Sequence, residues 1–185
     1  VKELQAEKYS WQDGKKTAGS YAAKIKNNFQ LDKNSKISKK IKNLVVEKII
    51  SDALIKSFTL PCLIHGVMLT KSLAGNGYGM HVDNPYMPSG RSDLSFTLFL
   101  NDPEDYEGGS LCIQTINETK QIKLSAGEMI IYPSTQLHSV SQVKKGERFV
   151  CVGWIQSYVQ NNEDRNFLFG LDAGAKGLLA KHVRS

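Results

Sequence analysis

From Leu60 to Val159 the chain is a succession of short apolar runs, each closed by Gly, Pro, Asp or Lys-Gly turn chemistry. The runs are Leu60–Thr70, Tyr78–Asp83, Leu94–Leu100, Ser110–Ile116, Gln121–Leu124, Glu128–Tyr132, Leu137–Val143 and Arg148–Val159. Runs of this kind between turn formers read as β-strands. Many strands at such spacing must cover their faces and edges by closing into a sandwich or barrel, and a jelly roll is the natural closure. The expected fold is mainly β with flanking helices.

The 185 residues make about one domain. Within it, 1–59 reads as mainly helical support, 60–160 as the β core, and 161–185 as a C-terminal helix and basic tail. Trp11-Gln12-Asp13-Gly14 reads as a turn and Ala22 to Phe29 as a short helix. Ser38 to Lys56 reads as an amphipathic helix, because Ile41, Leu44, Val45, Ile49 and Ala53 recur at three- and four-residue spacing among lysines. No run approaches the ~20 apolar residues of a membrane span. No basic-then-apolar leader precedes the first polar segment, and the start at Val1 reads as trimmed.

The net charge of +6 is unevenly placed: residues 1–56 hold thirteen lysines against six acids, and residues 57–185 hold eleven basic residues against twelve acids. The plainer reading of that basic third is a solvated helical face, and attraction of an anionic partner is the other. Cys62, Cys112 and Cys151 sit singly in apolar runs, an odd and unclustered set that argues against a disulfide framework or a zinc site. Each is expected to be a buried, reduced thiol in a cytoplasmic protein.

The chemistry is carried by His81-Val82-Asp83. In an extended strand residues i and i+2 share a face, so one imidazole and one carboxylate aim at a common point. His138, from a distant strand, can complete a set of two His and one carboxylate. That set leaves three positions open on an octahedral ion and suits Fe(II) in oxygen-activating enzymes. Alternation places Arg148, Val150, Val152 and Trp154 on one face of a later strand. An arginine among valines is costly to bury without an anion, and a dicarboxylate cosubstrate answers its two-pronged donor geometry. The rival reading pairs Arg148 with a surface acid across a hairpin. Tyr78 and Thr97 are further candidates for the cosubstrate, each balanced against an ordinary strand role. Trp154 is either core or a wall of the substrate pocket. His65 and His182 are expected to be structural or solvent-facing. Asp93 and the acids Asp102, Glu104, Asp105 and Glu107 fall at turns, where carboxylates cap backbone donors.

The chain resembles the iron and 2-oxoglutarate-dependent dioxygenases of the prolyl hydroxylase superfamily, most closely the PKHD-type hydroxylases. The stretches that carry the resemblance are Trp11 to Gly19, Lys26-Asn27-Asn28, Tyr78 to Asp83, Arg91 to Leu100, Asp105 to Gly109, Tyr132 to His138, Gly146-Glu147-Arg148 and Trp154 to Ser157. The resemblance implies a double-stranded β-helix in which His81, Asp83 and His138 bind iron and Arg148 binds the distal carboxylate of 2-oxoglutarate. It further implies O2 as oxidant, ascorbate as the reductant that keeps the iron ferrous, and hydroxylation of a C–H, on a prolyl residue of a peptide, with release of succinate and CO2. A free amino acid or other small molecule is the alternative substrate. The Asn84–Arg91 segment, with two prolines and a glycine, reads as a lid, with Asn84, Arg91 and Trp154 as substrate contacts. Ser72 and Leu73 stand where many relatives carry a tyrosine that helps hold the cosubstrate. Repair of alkylated nucleic acid is disfavoured because Trp154 occupies the place of that family's second arginine. A halogenase is disfavoured by the carboxylate of Asp83. A non-catalytic jelly-roll binding protein is the rival outside enzymes.

Overall fold

The computed structural model describes residues 4, 11–17 and 20–182. The motif residues Ala18 and Gly19 and the tail from 183 onward lie outside those. The strands, in chain order, are β1 Trp11–Asp13, β2 Lys26–Asn27, β3 Phe29–Leu31, β4 Pro61–Leu73, β5 Gly77–His81, β6 Tyr86–Met87, β7 Gly90–Arg91 and β8 Leu94–Phe99. They continue with β9 Tyr106–Gly108, β10 Leu111–Gln114, β11 Thr119–Ile122, β12 Met129–Pro133, β13 His138–Val140 and β14 Val143–Ser157. One sheet runs β1-β3-β4-β14-β8-β12, with β9 attached to β14, and the other runs β11-β10-β13-β5-β2. The architecture is the expected jelly roll.

Strand alternation sorts the core into two layers. On the outer face of the larger sheet, Leu69, Leu94, Phe96, Phe149, Cys151 and Ile155 are buried together with Val45 and Ile49 of the Lys36–Ser51 helix. Between the sheets, Phe99, Leu111, Ile113, Tyr132 and Val150 form a second cluster. Arg148, Val150, Val152 and Trp154 therefore share the face that looks between the sheets. β4 carries one extra residue opposite Val152 and Trp154, since Val152 pairs with Met68 and Trp154 with His65. Gly66 absorbs that bulge at φ 61, and a Cβ there would lie 2.4 Å from the Trp154 ring. The missing side chain is what lets Trp154 lie flat against β4.

The helical third differs from its sequence reading in three places. Trp11–Asp13 is a strand paired with β3, not a turn, and a 3-10 turn follows at Gly14–Thr17. The short helix is Ser20–Ile25, after which Lys26–Asn27 and Phe29–Leu31 are strands. Strands of two or three residues carry too little alternation to be read as such. The long helix is two helices: Asp52 ends Lys36–Ser51 and caps Ala53–Thr59 by accepting from the Ile55 N–H at 2.9 Å. Its buried row is Ile37, Ile41, Val45 and Ile49, one i,i+4 line, while Leu44 is half exposed. Lys39, Lys40, Lys42 and Lys48 are exposed, as a solvated face requires.

The C-terminal helix is Asn162–His182, and the exposed His182 lies at its end. It docks through an edge-on Phe58–Phe169 contact and a Ser57–Asp172 hydrogen bond. Cys112 and Cys151 are buried, with burial pushing the Cys151 thiol up to about 12. Cys62 corrects the reading of three buried thiols: it is exposed, because it lies at the start of β4, beyond the covered part of the sheet. Among the described residues, no helix is long and apolar enough to cross a membrane.

Candidate active site

β5 and β13 are neighbours in the smaller sheet, and His81 sits directly opposite His138. Their rings are 4.3 Å apart between centroids. β5 ends at His81, so Asp83 is positioned by a different device from the strand alternation expected of it. Its N–H donates to the Ser134 carbonyl, and its side chain turns back between the two imidazoles. Oδ1 lies 3.9 Å from His81 Nε2 and Oδ2 lies 3.9 Å from His138 Nε2. The three residues form a group whose ligand atoms all lie within 4.8 Å of one another.

Hydrogen bonding fixes which nitrogens face inward. His81 Nδ1 bonds the Gly79 carbonyl at 2.7 Å, and His138 Nδ1 bonds the Gln136 carbonyl at 2.8 Å. A carbonyl only accepts, so each Nδ1 carries the hydrogen and each Nε2 presents its lone pair to the common point. The carboxylate is held too. Ser95 Oγ donates to Asp83 Oδ2 at 2.6 Å, and Ser134 Oγ lies 2.7 Å from Ser95 Oγ. Two neutral imidazoles and an oriented carboxylate fit a divalent iron with open positions.

Tyr78 reaches the site through an irregularity. It precedes His81 by three residues, which in a regular strand would put it on the opposite face. Val140 and His138 are two apart on β13, yet they pair with Tyr78 and His81. The extra residue in β5 brings both rings to one side, stacked at 3.7 Å. Lys26, the cross-strand partner of Tyr78 on β2, shares that face, and its Nζ lies 5.5 Å from the centre of the Tyr78 ring.

Arg148 is 3% exposed. No carboxylate of the described residues lies within ion-pairing distance of it, so the surface salt bridge weighed against the cosubstrate reading is not made. The guanidinium stands 5.6 Å from the centre of the Phe99 ring. Among the described residues its Nε and the buried hydroxyl of Tyr106 make no close hydrogen bond, although the phenol stands beside the guanidinium. Burial lowers the Arg148 pKa against the opposing pull of Tyr106 and Tyr132. Burial raises the phenols of Tyr106 and Tyr132, and it pushes Tyr78 up to about 12, with the Asp83 charge adding. All three therefore keep their protons at neutral pH. A buried cation beside protonated phenols, with donors left over, fits a carboxylate. Ser72, where the resemblance leads one to look for a tyrosine, pairs with Arg148 across β4 and β14.

Thr97, buried and facing between the sheets, stands against the Tyr132 phenol. Trp154 is half-buried, stacks on His65 at 6.4 Å, and has an unpartnered Nε1. His65 is buried and structural, bonded to Ser89 Oγ and the Arg91 carbonyl. Arg91 is drawn away from the metal-facing cluster: it is bidentate to Asp93 at 2.7 and 2.8 Å and also donates to the Ser157 carbonyl. Asn84 is exposed and its side chain accepts from the Tyr86 N–H. The segment from Asn84 to Arg91 contains the β6–β7 hairpin, tied down through His65 and through Gln156, which accepts from the Arg91 N–H.

Residues 67–156 match the family model of the 2OG-Fe(II) oxygenase superfamily. A PKHD-type hydroxylase of Prochlorococcus marinus strain NATL2A is 80% identical over 185 residues, all of this chain and 84% of the relative. The chain belongs to the PKHD-type hydroxylases. A second such hydroxylase, from strain MIT 9313 of the same species, is 65% identical over 98% of this chain and 82% of its own length. A Pseudomonas putida prolyl-4-hydroxylase shares the fold at TM-score 0.59 and 17% identity, covering 85% of this chain and 82% of that one. So does a Trichoplax adhaerens prolyl hydroxylase in complex with a hypoxia inducible factor oxygen degradation domain peptide fragment, at TM-score 0.61 and 16% identity, over 90% and 77%. The protein is thus a 2-oxoglutarate-dependent hydroxylase, and Fe(II) and 2-oxoglutarate are the cofactor and cosubstrate its family implies.

Ser95, Ser134, Tyr106, Tyr132 and Lys26 fall within the stretches that carry the resemblance but are given no role by the sequence. Ser95 could have been found, since it alternates with Thr97 on the polar side of an otherwise apolar strand. Tyr106 was hidden in an acidic turn and Lys26 among surface lysines.

Two expected results follow from this geometry. Ser95→Ala frees the Asp83 carboxylate and lowers metal affinity about tenfold, measured by Mn(II) titration; unchanged affinity would show that Asp83 is held without it. Burial, then the neighbouring His138, keeps His81 below the ordinary imidazole value. It is therefore neutral at pH 7 and binds metal without releasing a proton. Mn(II) affinity should fall on acidification as the imidazoles protonate; an affinity unchanged at acidic pH would contradict this.

Proposed function

We propose that this hydroxylase binds iron through His81 Nε2, His138 Nε2 and the Asp83 carboxylate, binds the distal carboxylate of 2-oxoglutarate through Arg148, and hydroxylates a prolyl residue in a peptide. The observation that carries the reading is the convergence of two Nε2 lone pairs and one oriented carboxylate in the same interior that holds an arginine without an anion. Bound there, Fe(II) and 2-oxoglutarate supply dioxygen activation, with one oxygen atom entering the substrate C–H and the other entering succinate as CO2 is lost.

The protein's own contribution is to orient and to exclude water. The Gly79 and Gln136 carbonyls hold the imidazole tautomers, and Ser95 holds the carboxylate. Phe99, Leu111, Ile113 and Val150 close the interior around Arg148 against solvent. The Tyr106 hydroxyl and Thr97 are placed to complete the dicarboxylate site, and Tyr78 to border the metal. Trp154 offers an unpaired indole N–H to the substrate. Arg91 and Asn84 contribute through the hairpin that frames the opening. The whole chain acts as one catalytic domain, working in a reducing cytoplasm with ascorbate as supporting reductant. The peptide assignment is supported by the fold shared with the Pseudomonas putida prolyl-4-hydroxylase and with the Trichoplax adhaerens prolyl hydroxylase, which was solved in complex with a peptide fragment.

The test is succinate formation with Fe(II) and 2-oxoglutarate across a proline-containing peptide panel, with mass spectrometry for a gain of one oxygen. Fe(II)-dependent turnover with an oxidised peptide supports the reading. Turnover that oxidises free amino acids but no peptide would move the protein to the small-molecule alternative.

A further inference from the structure

Lys26 is 8% exposed. Among the described residues its ammonium has no carboxylate within ion-pairing distance, and its described contact is the face of the Tyr78 ring, 5.5 Å from Nζ to the ring centre. The nearest acids, Asp83 and Asp13, act on it only through space, and Asp83 is already committed to Ser95 and the two imidazoles. A lysine this buried without a paired carboxylate is rare, because drawing an ammonium largely out of water is costly unless an anion makes up for the lost hydration.

Its position says where that anion comes from. Lys26 pairs with Tyr78 across β2 and β5 and points to the same side of the sheet, and Tyr78 lies against His81. One aromatic ring therefore separates the ammonium from the metal-facing cluster. Among the described residues β2 is the edge strand of its sheet, so the lysine stands at the border of the site and not behind it. The approach is basic as well, since Lys15, Lys16 and Lys24, all exposed, flank this edge. Arg148 lies on the facing sheet beside Tyr106 and Tyr132, so it and Lys26 mark two separate anionic groups.

We propose that Lys26 binds a carboxylate carried by the substrate, so that the hydroxylated residue lies next to an acidic group. The inference rests on the hydroxylase reading above and deepens it. The carboxylate has two sources, an acidic side chain following the target residue or the terminal carboxylate of a short substrate, and different probes separate them.

The probes are N-acetyl-proline, N-acetyl-prolyl-aspartic acid amide and the neutral N-acetyl-prolinamide, titrated anaerobically against the protein loaded with Mn(II) and 2-oxoglutarate. At least one acid should bind the wild type about 10- to 100-fold more tightly than the amide, the range of a charge-assisted pair. Which acid does so identifies the source. Lys26→Met should erase the difference and Lys26→Arg restore part of it, with melting temperature checking that both variants are folded. Equal binding of acids and amide by the wild type, or a preference that survives Lys26→Met, overturns the proposal. A raised 2-oxoglutarate Kd in Lys26→Met also overturns it, by assigning the lysine to the cosubstrate. Failure of the prolyl reading appears differently: no probe gains oxygen aerobically, while the Lys26-dependent preference persists.

Discussion

Asp83→Ala removes Fe(II) binding and, with it, 2-oxoglutarate turnover. Loss of a residue that merely supports a ligand typically costs 10–100-fold in affinity or activity. Loss of the only carboxylate in the set should therefore exceed about 100-fold in both. The two imidazoles would remain in place, since their Nδ1 bonds run to backbone carbonyls and not to Asp83. The variant should accordingly stay folded, with an unchanged melting temperature in the absence of metal. Metal titration and succinate assay measure the effect, and an Asp83→Ala protein with full turnover would overturn the ligand assignment. His81→Ala and His138→Ala should behave alike in activity.

Arg148→Met separates binding from stability. The guanidinium is buried with an unpartnered Nε. Removing it takes away one half of a desolvated charge pair, worth about 2–5 kcal/mol, or about 30- to 5000-fold in the 2-oxoglutarate Kd. Without cosubstrate the sign reverses. A buried charge lacking its anion opposes folding, and an apolar side chain of similar length is neutral or stabilising there. The unliganded variant should melt at the same temperature as the wild type or a few degrees higher, and 2-oxoglutarate should raise only the wild-type value. Calorimetry with and without 2-oxoglutarate decides the matter. A destabilised variant that still binds the cosubstrate would mean that Arg148 serves packing.

The sequence was most legible where chemistry demands rare residues in fixed relation. His81, Asp83, His138 and Arg148 are recognisable because two imidazoles and a carboxylate on neighbouring strands, and an arginine alternating with valines, have little ordinary use within a strand. The strand count from Leu60 onward was equally plain, since turn formers mark nearly every boundary. What escaped has physical reasons. Asp83 lies beyond the end of β5, and its placement depends on a backbone bond to Ser134, fifty-one residues later. Tyr78 faces the metal side because β5 holds an extra residue, which alternation does not foresee. The N-terminal strands are completed only by pairing with β4 and β5. The Ser38–Lys56 helix breaks at Asp52, an ordinary residue in a helical pattern that becomes a cap when the chain turns. Cys62 looks like a core residue within an apolar run and is exposed because its strand outruns the layer covering it. Lys26 carries the same letter as twelve other lysines in the first 56 residues, and only its burial sets it apart.

The most direct test of the account is a crystal structure of the protein grown anaerobically with Mn(II) and 2-oxoglutarate. The account predicts one ion ligated by His81 Nε2, His138 Nε2 and an Asp83 oxygen, with 2-oxoglutarate reaching from that ion to a two-pronged contact with Arg148. An ion bound elsewhere, or a cosubstrate whose distal carboxylate leaves the Arg148 guanidinium untouched, would contradict it.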